Sequence, residues 1–196
     1  MAYITTTDLL NYINELTGGV QTSFTAGETA ALQVFVDEAI AEIDRVTGRK
    51  FETQANQTRY YREEAIDPVD PSILKLDTDF LAVTALTNGD GTSISSGDYW
   101  LLPDNSSPKW AIKLKSTKSW AFDTDGRVIV AGSTGFSATA PADIKRCAKR
   151  LAYFYWQKRA ATGETQVVGE DQVNVASEYP QDIKSVLARY KRGSVK

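Results

Sequence analysis

The sequence contains no histidine, and its only cysteine is Cys147. Imidazole is the usual general base near neutral pH, the usual partner of a nucleophilic Ser or Cys, and the commonest transition-metal ligand. Its absence excludes Ser-His-Asp triads, zincin sites and carboxylate–histidine iron sites. A single cysteine excludes an internal disulfide and a thiolate zinc cluster within one chain. An enzyme built from this chain would have to work with carboxylates, lysine or tyrosine.

Long apolar runs are also missing. No stretch approaches the ~18 consecutive apolar residues that a membrane helix needs, and the start of the chain has no basic segment followed by a long apolar run. We therefore expect a protein that is made and kept soluble inside a cell and has no membrane partner. With 196 residues, 42% of them hydrophobic, the chain is long enough for one substantial core, or for one core with an appended arm.

Charge is unevenly distributed along the sequence. Residues 143–196 carry 11 Lys and Arg against 6 Asp and Glu, whereas residues 1–142 carry 11 against 19. A basic C-terminal part on an acidic body indicates a segment that meets a negatively charged partner, either nucleic acid or an acidic protein surface. A solvated helix face is the alternative interpretation.

Helical periodicity predicts three helices in the main part of the chain, over 5–17, 28–47 and 141–160. Thr7 or Asp8 can cap the first helix, and the second carries a continuous apolar stripe that ends at a glycine. The third opens with a proline at a first-turn position and an aspartate near the positive end of the helix dipole.

Between these helices, residues 51–136 consist of short runs rich in β-branched and aromatic residues, separated by turn-forming segments. Residues 161–196 are small and polar at first and end in a short amphipathic helix. We therefore predict an α+β protein that is mainly an α-helical bundle with a β-hairpin-rich insertion and an extended C-terminal arm. Residues 1–160 would form the core domain and residues 161–196 the arm.

Two glycine-bearing loops invite comparison with calcium-binding loops. An EF-hand loop needs a bidentate glutamate at its twelfth position. Counting from Asn88 that position is Tyr99, and counting from Asp123 it is Thr134. We therefore interpret both as hairpin turns, in which Asn-Gly and Asp-Gly supply the positive φ that tight turns require. No phosphate-binding glycine motif opens a helix, so we predict no metal site and no cofactor.

Acidic residues and the lone thiol are the remaining catalytic candidates. Cys147 lies beside the apolar face of its helix with no histidine to activate it, which favours a packed cysteine. Carboxylates in the β-rich region could in principle form a dyad or hold magnesium. Acidic loops that bracket prolines are more often solvated surface, so we predict no catalytic residue. These carboxylates are Glu63, Glu64, Asp67, Asp70, Asp77 and Asp79.

The third helix combines basic and aromatic residues in the run KRCAKRLAYFYWQKR. This mixture is typical of proteins that stack single-stranded nucleic acid. Four consecutive aromatics on a helix point in every direction, however, which favours packing of some on the core and of others against a neighbouring subunit. The residues concerned are Lys145, Arg146, Lys149, Arg150, Lys158 and Arg159, with Tyr153, Phe154, Tyr155 and Trp156.

Seven segments follow one another along the chain: DLLNYI, EAIAEIDRVTGRKF, TRYYRE, LAVTALTNGDGTSISSGDYWLLPDNSSPKWAIKL, VIVAGSTGF, PADIKRCAKRLAYFYWQKR and YPQDIKSVLARYKR. In this order they resemble the head–tail connector adaptor family of tailed bacteriophages. The similarity extends over nearly the whole chain and rests on structural rather than catalytic signatures.

The resemblance implies a non-enzymatic virion protein at the head–tail junction. It would form a ring, typically a dodecamer, beneath the portal protein and above a stopper or tail-completion protein. Genomic double-stranded DNA would pass through the channel without sequence-specific binding. Because each neutralised phosphate adds affinity, we expect the acidic part to line much of the channel and the basic arm to engage protein.

The expected interface residues lie mostly in the arm. We expect the segment from about Gly163 onward to be mobile in the free protein and ordered on the portal ring. Two other functions stay open: a small nucleic-acid-binding protein using helix 141–160, and a different phage neck protein such as a stopper or tail-completion protein. The expected interface set is Tyr179, Ile183, Val186, Leu187, Arg189, Tyr190, Lys191 and Arg192, together with Trp156 and Arg159.

Overall fold

The structure is a computed structural model that describes residues 3–19, 25–122, 126–163 and 180–193. The chain divides into two compact units. We call Met1–Gly48 with Pro141–Arg192 the helical unit, and Arg49–Ala140 with Gly193–Lys196 the sheet unit. Each unit has its own secondary structure and its own buried residues.

The first two helices begin at capping boxes. Helix α1 spans Thr6–Thr17, and Thr5 is its N-cap: its hydroxyl accepts from the amide of Asp8, whose carboxylate accepts in return from the Thr5 amide. The prediction of Thr7 or Asp8 as the cap was therefore wrong, because Asp8 is the third helical residue, which closes the box that Thr5 opens. Helix α2 spans Ala26–Thr47 and ends at Gly48, whose φ of 65° is the left-handed conformation that glycine adopts without strain.

Two further helices are described in the helical unit. Helix α3 spans Ala142–Gly163 and helix α4 spans Gln181–Tyr190. Helices α2 and α3 pack on each other, and both α1 and α4 contact each of them. Apolar side chains from all four helices are buried in this unit: Leu9, Ile13, Leu32, Val36, Ala39, Ile43, Ile144, Ala148, Leu151, Ala152, Ile183 and Leu187.

The sheet unit is a single five-stranded sheet. Its strands are β1 (Gln54–Tyr61), β2 (Ile73–Thr87), β3 (Tyr99–Leu102), β4 (Lys109–Leu114) and β5 (Val128–Thr134). They lie in the order β1-β5-β2-β4-β3, and every neighbouring pair is antiparallel. The long strand β2 pairs with β4 through its first part and with β5 through its second.

One face of this sheet carries its own hydrophobic core, in which Leu74, Phe80, Ile112 and Val130 are fully buried. Alternate residues of β5 face this core, as expected for a strand with one covered face. Gly132 of β5 allows a close approach, since a Cβ there would lie 2.0 Å from the carbonyl oxygen of Ala82.

The prediction of a mainly helical bundle with a β-hairpin-rich insertion was wrong, although the α+β class holds. The β-rich segment forms one sheet in which β1 pairs with β5 across more than sixty intervening residues, and its core is separate from the helical one. Short-range turn signals predict hairpins, and they carry no information about pairing between strands far apart in the chain.

Candidate interaction surfaces

Helix α4 packs on the chain's own helical unit. Ile183 and Leu187, which were expected to anchor the arm on a partner, are fully buried there. The hydroxyl of Tyr190 donates to the carboxylate of Asp143 at 2.9 Å, and Arg189 lies 3.7 Å from the same carboxylate. In this arrangement, the apolar stripe of α4 stabilises the fold.

The other expected interface residues are dispersed. Tyr179 and the side chain of Arg159 lie outside the described part of the chain. Val186 is half-buried and Lys191 is exposed, while the Arg192 amide donates to the carbonyl of Thr47 at 2.8 Å. Their role at an interface stays a prediction, as does the expected mobility of the segment from Gly163, because residues 164–179 lie outside the described residues.

Helix α3 exposes a basic and aromatic stripe, which we call the basic face: Lys145, Arg146, Lys149, Tyr153 and Trp156. It lies opposite the buried residues Ile144, Ala148 and Leu151, at helical spacing. Arg146 is exposed, and the other four side chains are half-buried. The sequence reasoning singled out all five of these residues.

The aromatic residues of the basic face pack on each other, and Tyr153 also contacts α1. The rings of Tyr12 and Tyr153 meet edge to face with their centroids 5.9 Å apart, and the Trp156 ring lies 5.7 Å from that of Tyr153. The Gln157 side-chain amide donates to the Tyr153 hydroxyl at 2.7 Å. These contacts hold the aromatic rings in place while leaving part of each accessible.

The start of α1 also contributes to the electrostatics of this face. Burial raises the pKa of Asp8, but hydrogen bonds from Thr5 and the positive charges of Lys149 and Lys145 outweigh it and lower the pKa overall. The two lysines therefore lie close enough to the N-terminus of α1 to act on its carboxylate.

Helix α2 exposes a second surface, which we call the acidic face: Val34, Asp37, Glu38 and Ala41. It lies opposite the buried residues of α2, and half of the surface of Val34 is accessible. The sequence reasoning missed this surface. A signal for it was present, because no Lys or Arg precedes Arg45, and helical periodicity places these four residues on one side.

The lone thiol has no feature of a nucleophile. Cys147 is buried in the helical unit. Burial, followed by the nearby carboxylate of Asp143, raises the pKa of its thiol. A raised pKa keeps the sulfur protonated and unreactive at neutral pH.

The carboxylates of the β-rich region bind partners within the sheet unit. Asp67 lies 3.1 Å from the Lys75 ammonium, and Asp70 lies 2.8 Å from that of Lys113. Asp77 accepts from the Tyr61 hydroxyl at 2.6 Å, and the buried Asp79 pairs with the Arg49 guanidinium at 2.6 Å. Each of these four carboxylates thus has a structural partner, and their contacts provide no paired carboxylate dyad. Glu63 and Glu64 are exposed.

The Asn88 loop is a tight turn held by its own side chains. The Asn88 side chain donates to the carbonyl of Ser119 and accepts from the amide of Ala121, while Asp90 accepts from the amide and hydroxyl of Thr92. An open cleft of about 500 Å³ adjoins the turn, and the Arg127 guanidinium lies over the Tyr60 ring at its edge. The turn at Asp123 lies outside the described residues.

Within the described ranges, no group of three or more acidic or thiol side chains is placed to hold a metal ion. No described helix combines the length and the apolar content that crossing a bilayer demands.

Comparison with known proteins finds solved structures of similar fold. No family model matches the chain, and a search of curated proteins finds no match. Among solved structures, the chain is similar to one from the neck of an empty gene transfer agent (GTA) particle computed with C6 symmetry, with a TM-score of 0.63 and 20% identity over 99% of this chain and 92% of that one. A chain from the neck of a native GTA particle computed with C12 symmetry gives a TM-score of 0.58 at 20% identity, covering 85% of each chain. A chain from the virion of a native GTA particle gives 0.62 at 20% identity, covering 96% and 90%.

Proposed function

We propose that this chain is a structural protein of the neck of a tailed, phage-like particle, and within the neck the head–tail connector adaptor. It would form a homo-oligomeric ring, typically a dodecamer, beneath the portal protein. The ring would extend the DNA channel and provide the platform on which a stopper or tail-completion protein attaches. It would have no enzymatic activity.

The observation that carries this proposal is the shared fold over nearly the whole chain. Two of the matching chains come from particle necks computed with C6 and C12 symmetry, which supports a ring, and the third comes from a virion. The aligned regions include both the helical unit and the sheet unit, since 99% of this chain is covered. The agreement between this fold and the sequence resemblance to connector adaptors supports the narrower assignment.

The chemistry of the described surfaces also supports a structural role. The thiol is buried, Asp67 and Asp70 of the sheet unit bind structural partners, and no described group of side chains is placed to hold a metal ion. What the chain does offer is two exposed helix faces of opposite charge. Such faces suit protein assembly better than catalysis.

The test is electron microscopy of particles from a lysate in which the gene is disrupted, compared with the same lysate complemented by an intact copy. We expect heads that fill or leak DNA and never join tails, with tailed particles restored by complementation. Normal tailed particles without the gene would contradict a connector role. Heads joined to a neck ring but lacking only later tail components would move the assignment to a stopper or tail-completion protein.

A second candidate, a nucleic-acid-binding protein, is favoured by one observation, the basic face with its partly accessible aromatic rings. If this candidate is right, the isolated protein binds single-stranded nucleic acid, and its affinity falls steeply as the salt concentration rises. A gel-shift titration at several salt concentrations tests this candidate. The control variant combines Arg146→Glu with Lys149→Glu. Weak binding that is unaffected by these changes would contradict this candidate.

A further inference from the structure

We propose that the acidic face of α2 on one copy of this chain binds the basic face of α3 on a second copy, head to tail. The inference deepens the proposed function, since it assigns the surfaces through which the ring would form. It rests on geometry, charge and exposed apolar surface within the helical unit.

The two faces lie on opposite sides of the helical unit. Helices α2 and α3 pack on each other, flanked by α1 and α4. The acidic face is opposite the buried stripe of α2, and the basic face is opposite the buried stripe of α3. Two different surfaces pointing away from each other form a heterologous interface, which propagates from copy to copy and closes into a ring when the rotation allows.

The charges on the two faces are complementary, and within the described residues they form no ion pair, although Lys145 and Lys149 lie near the carboxylate of Asp8. The first 44 residues carry seven Asp and Glu and no Lys or Arg, whereas α3 carries six Lys and Arg and one Asp. Among the described side chains, Asp37 and Glu38 make no ion pair, and neither do Lys145, Arg146 and Lys149. Opposite charges that form no ion pair within the described part of one chain can pair with those of a second copy.

Apolar groups accompany the charges on both faces. The basic face presents parts of the Tyr153 and Trp156 rings, and aromatic residues with arginine are the side chains most enriched at protein interfaces. The acidic face presents the half-exposed Val34 and, about two turns along the same side of α2, the exposed Ala41, two apolar side chains against which an aromatic side chain can pack. A nucleic acid would use the basic face alone, whereas a second copy uses both.

The test is a charge-reversal exchange followed by sedimentation velocity of the full-length protein. One variant carries Asp37→Lys with Glu38→Lys, and the other carries Arg146→Glu with Lys149→Glu. Glu63→Lys with Glu64→Lys is the matched control, because it reverses an adjacent, exposed acidic pair in the sheet unit. The unmodified protein should associate as its concentration rises, more weakly at about 500 mM than at about 50 mM salt.

Each variant alone should weaken association by about tenfold or more, because like charges then meet. An equimolar mixture should restore it, because each reversed face then meets an opposite one. The control should associate like the unmodified protein. Loss of folding would not produce rescue on mixing.

Three results would overturn the proposal: unmodified protein that stays monomeric under all these conditions, variants that associate normally, or a mixture that shows no recovery. If Arg146→Glu with Lys149→Glu abolished only nucleic-acid binding, the basic face would be a nucleic-acid surface. None of these outcomes bears on whether particles need the protein, so failure here leaves the gene-disruption test of the proposed function intact.

Discussion

Asp70 shows how a single residue contributes to the sheet unit. Its carboxylate binds the Lys113 ammonium at 2.8 Å and accepts from the hydroxyl and amide of Ser72. The bond from Lys113, followed by those from Ser72, lowers the pKa of Asp70 from 3.8 to about 2. The contact joins the loop before β2 to strand β4, so protonation of this carboxyl weakens a long-range connection.

We expect Asp70 to make stability depend on pH below about pH 4. Because the folded pKa is depressed, the contribution is fully present above the unfolded pKa of 3.8 and is lost as the pH falls toward about 2. Urea unfolding at a series of pH values should show the difference between the unmodified protein and Asp70→Asn shrinking over that range. Lys113→Gln should behave similarly, and a difference independent of pH would contradict the assignment.

At the scale of single residues, sequence reasoning recognised the basic face but missed the acidic one. The basic face of α3 is recognisable in the sequence because basic and aromatic residues follow one another closely there. On α2 the signal is weaker, since Asp37 and Glu38 are ordinary surface residues until their shared side of the helix is considered. Ion pairs such as that between Asp79 and Arg49 could not be predicted from the sequence, because they join residues thirty positions apart.

At the scale of elements, helix α4 has the properties of a core helix. Its periodicity indicated an amphipathic helix, and the structure places its apolar stripe against α2 and α3. Arg150 of α3 pairs with Asp182 in the first turn of α4. Tyr190, at the end of α4, donates a hydrogen bond to Asp143 in the first turn of α3. An amphipathic pattern reveals that a helix buries one side, and it does not reveal what covers that side.

Leu187→Ala should therefore destabilise the isolated protein by about 2–4 kcal/mol, because it leaves a cavity in a fully buried site. Ser185→Ala on the exposed side of the same helix is the control, with a change within about 0.5 kcal/mol. Urea unfolding followed by circular dichroism measures both. If Leu187→Ala left the stability of the isolated protein unchanged, α4 would behave as an arm that folds only on a partner.

At the scale of the whole molecule, the chain consists of two units with separate cores. The two ends of the Arg49–Ala140 segment of the sheet unit lie close together, since the Phe136 amide donates to the carbonyl of Lys50 at 2.7 Å. The Arg49 guanidinium also lies over the Phe136 ring, 5.2 Å from its centroid. Adjacent ends are what allows a unit to be excised without breaking its pairing.

We expect residues 49–140, expressed alone, to fold. Their sheet holds all five strands and its own buried cluster, so the excised unit retains its core. Circular dichroism should show a β-rich spectrum, and urea should unfold it in one cooperative transition. Gly132→Ala should weaken the excised unit, because the added Cβ meets the Ala82 carbonyl. A spectrum without β structure would contradict independent folding.

Local sequence patterns were sufficient to predict helices α1, α2 and α3 and the β-rich character of residues 51–136, because periodicity, caps and turn residues act over a few positions. The absence of histidine and the single cysteine likewise excluded several classes of catalytic and metal site from the sequence alone. The strand order, the separate sheet core, the docking of α4 and the opposed placement of the two charged faces required the tertiary structure. They depend on contacts between residues far apart in the chain, which no local pattern encodes.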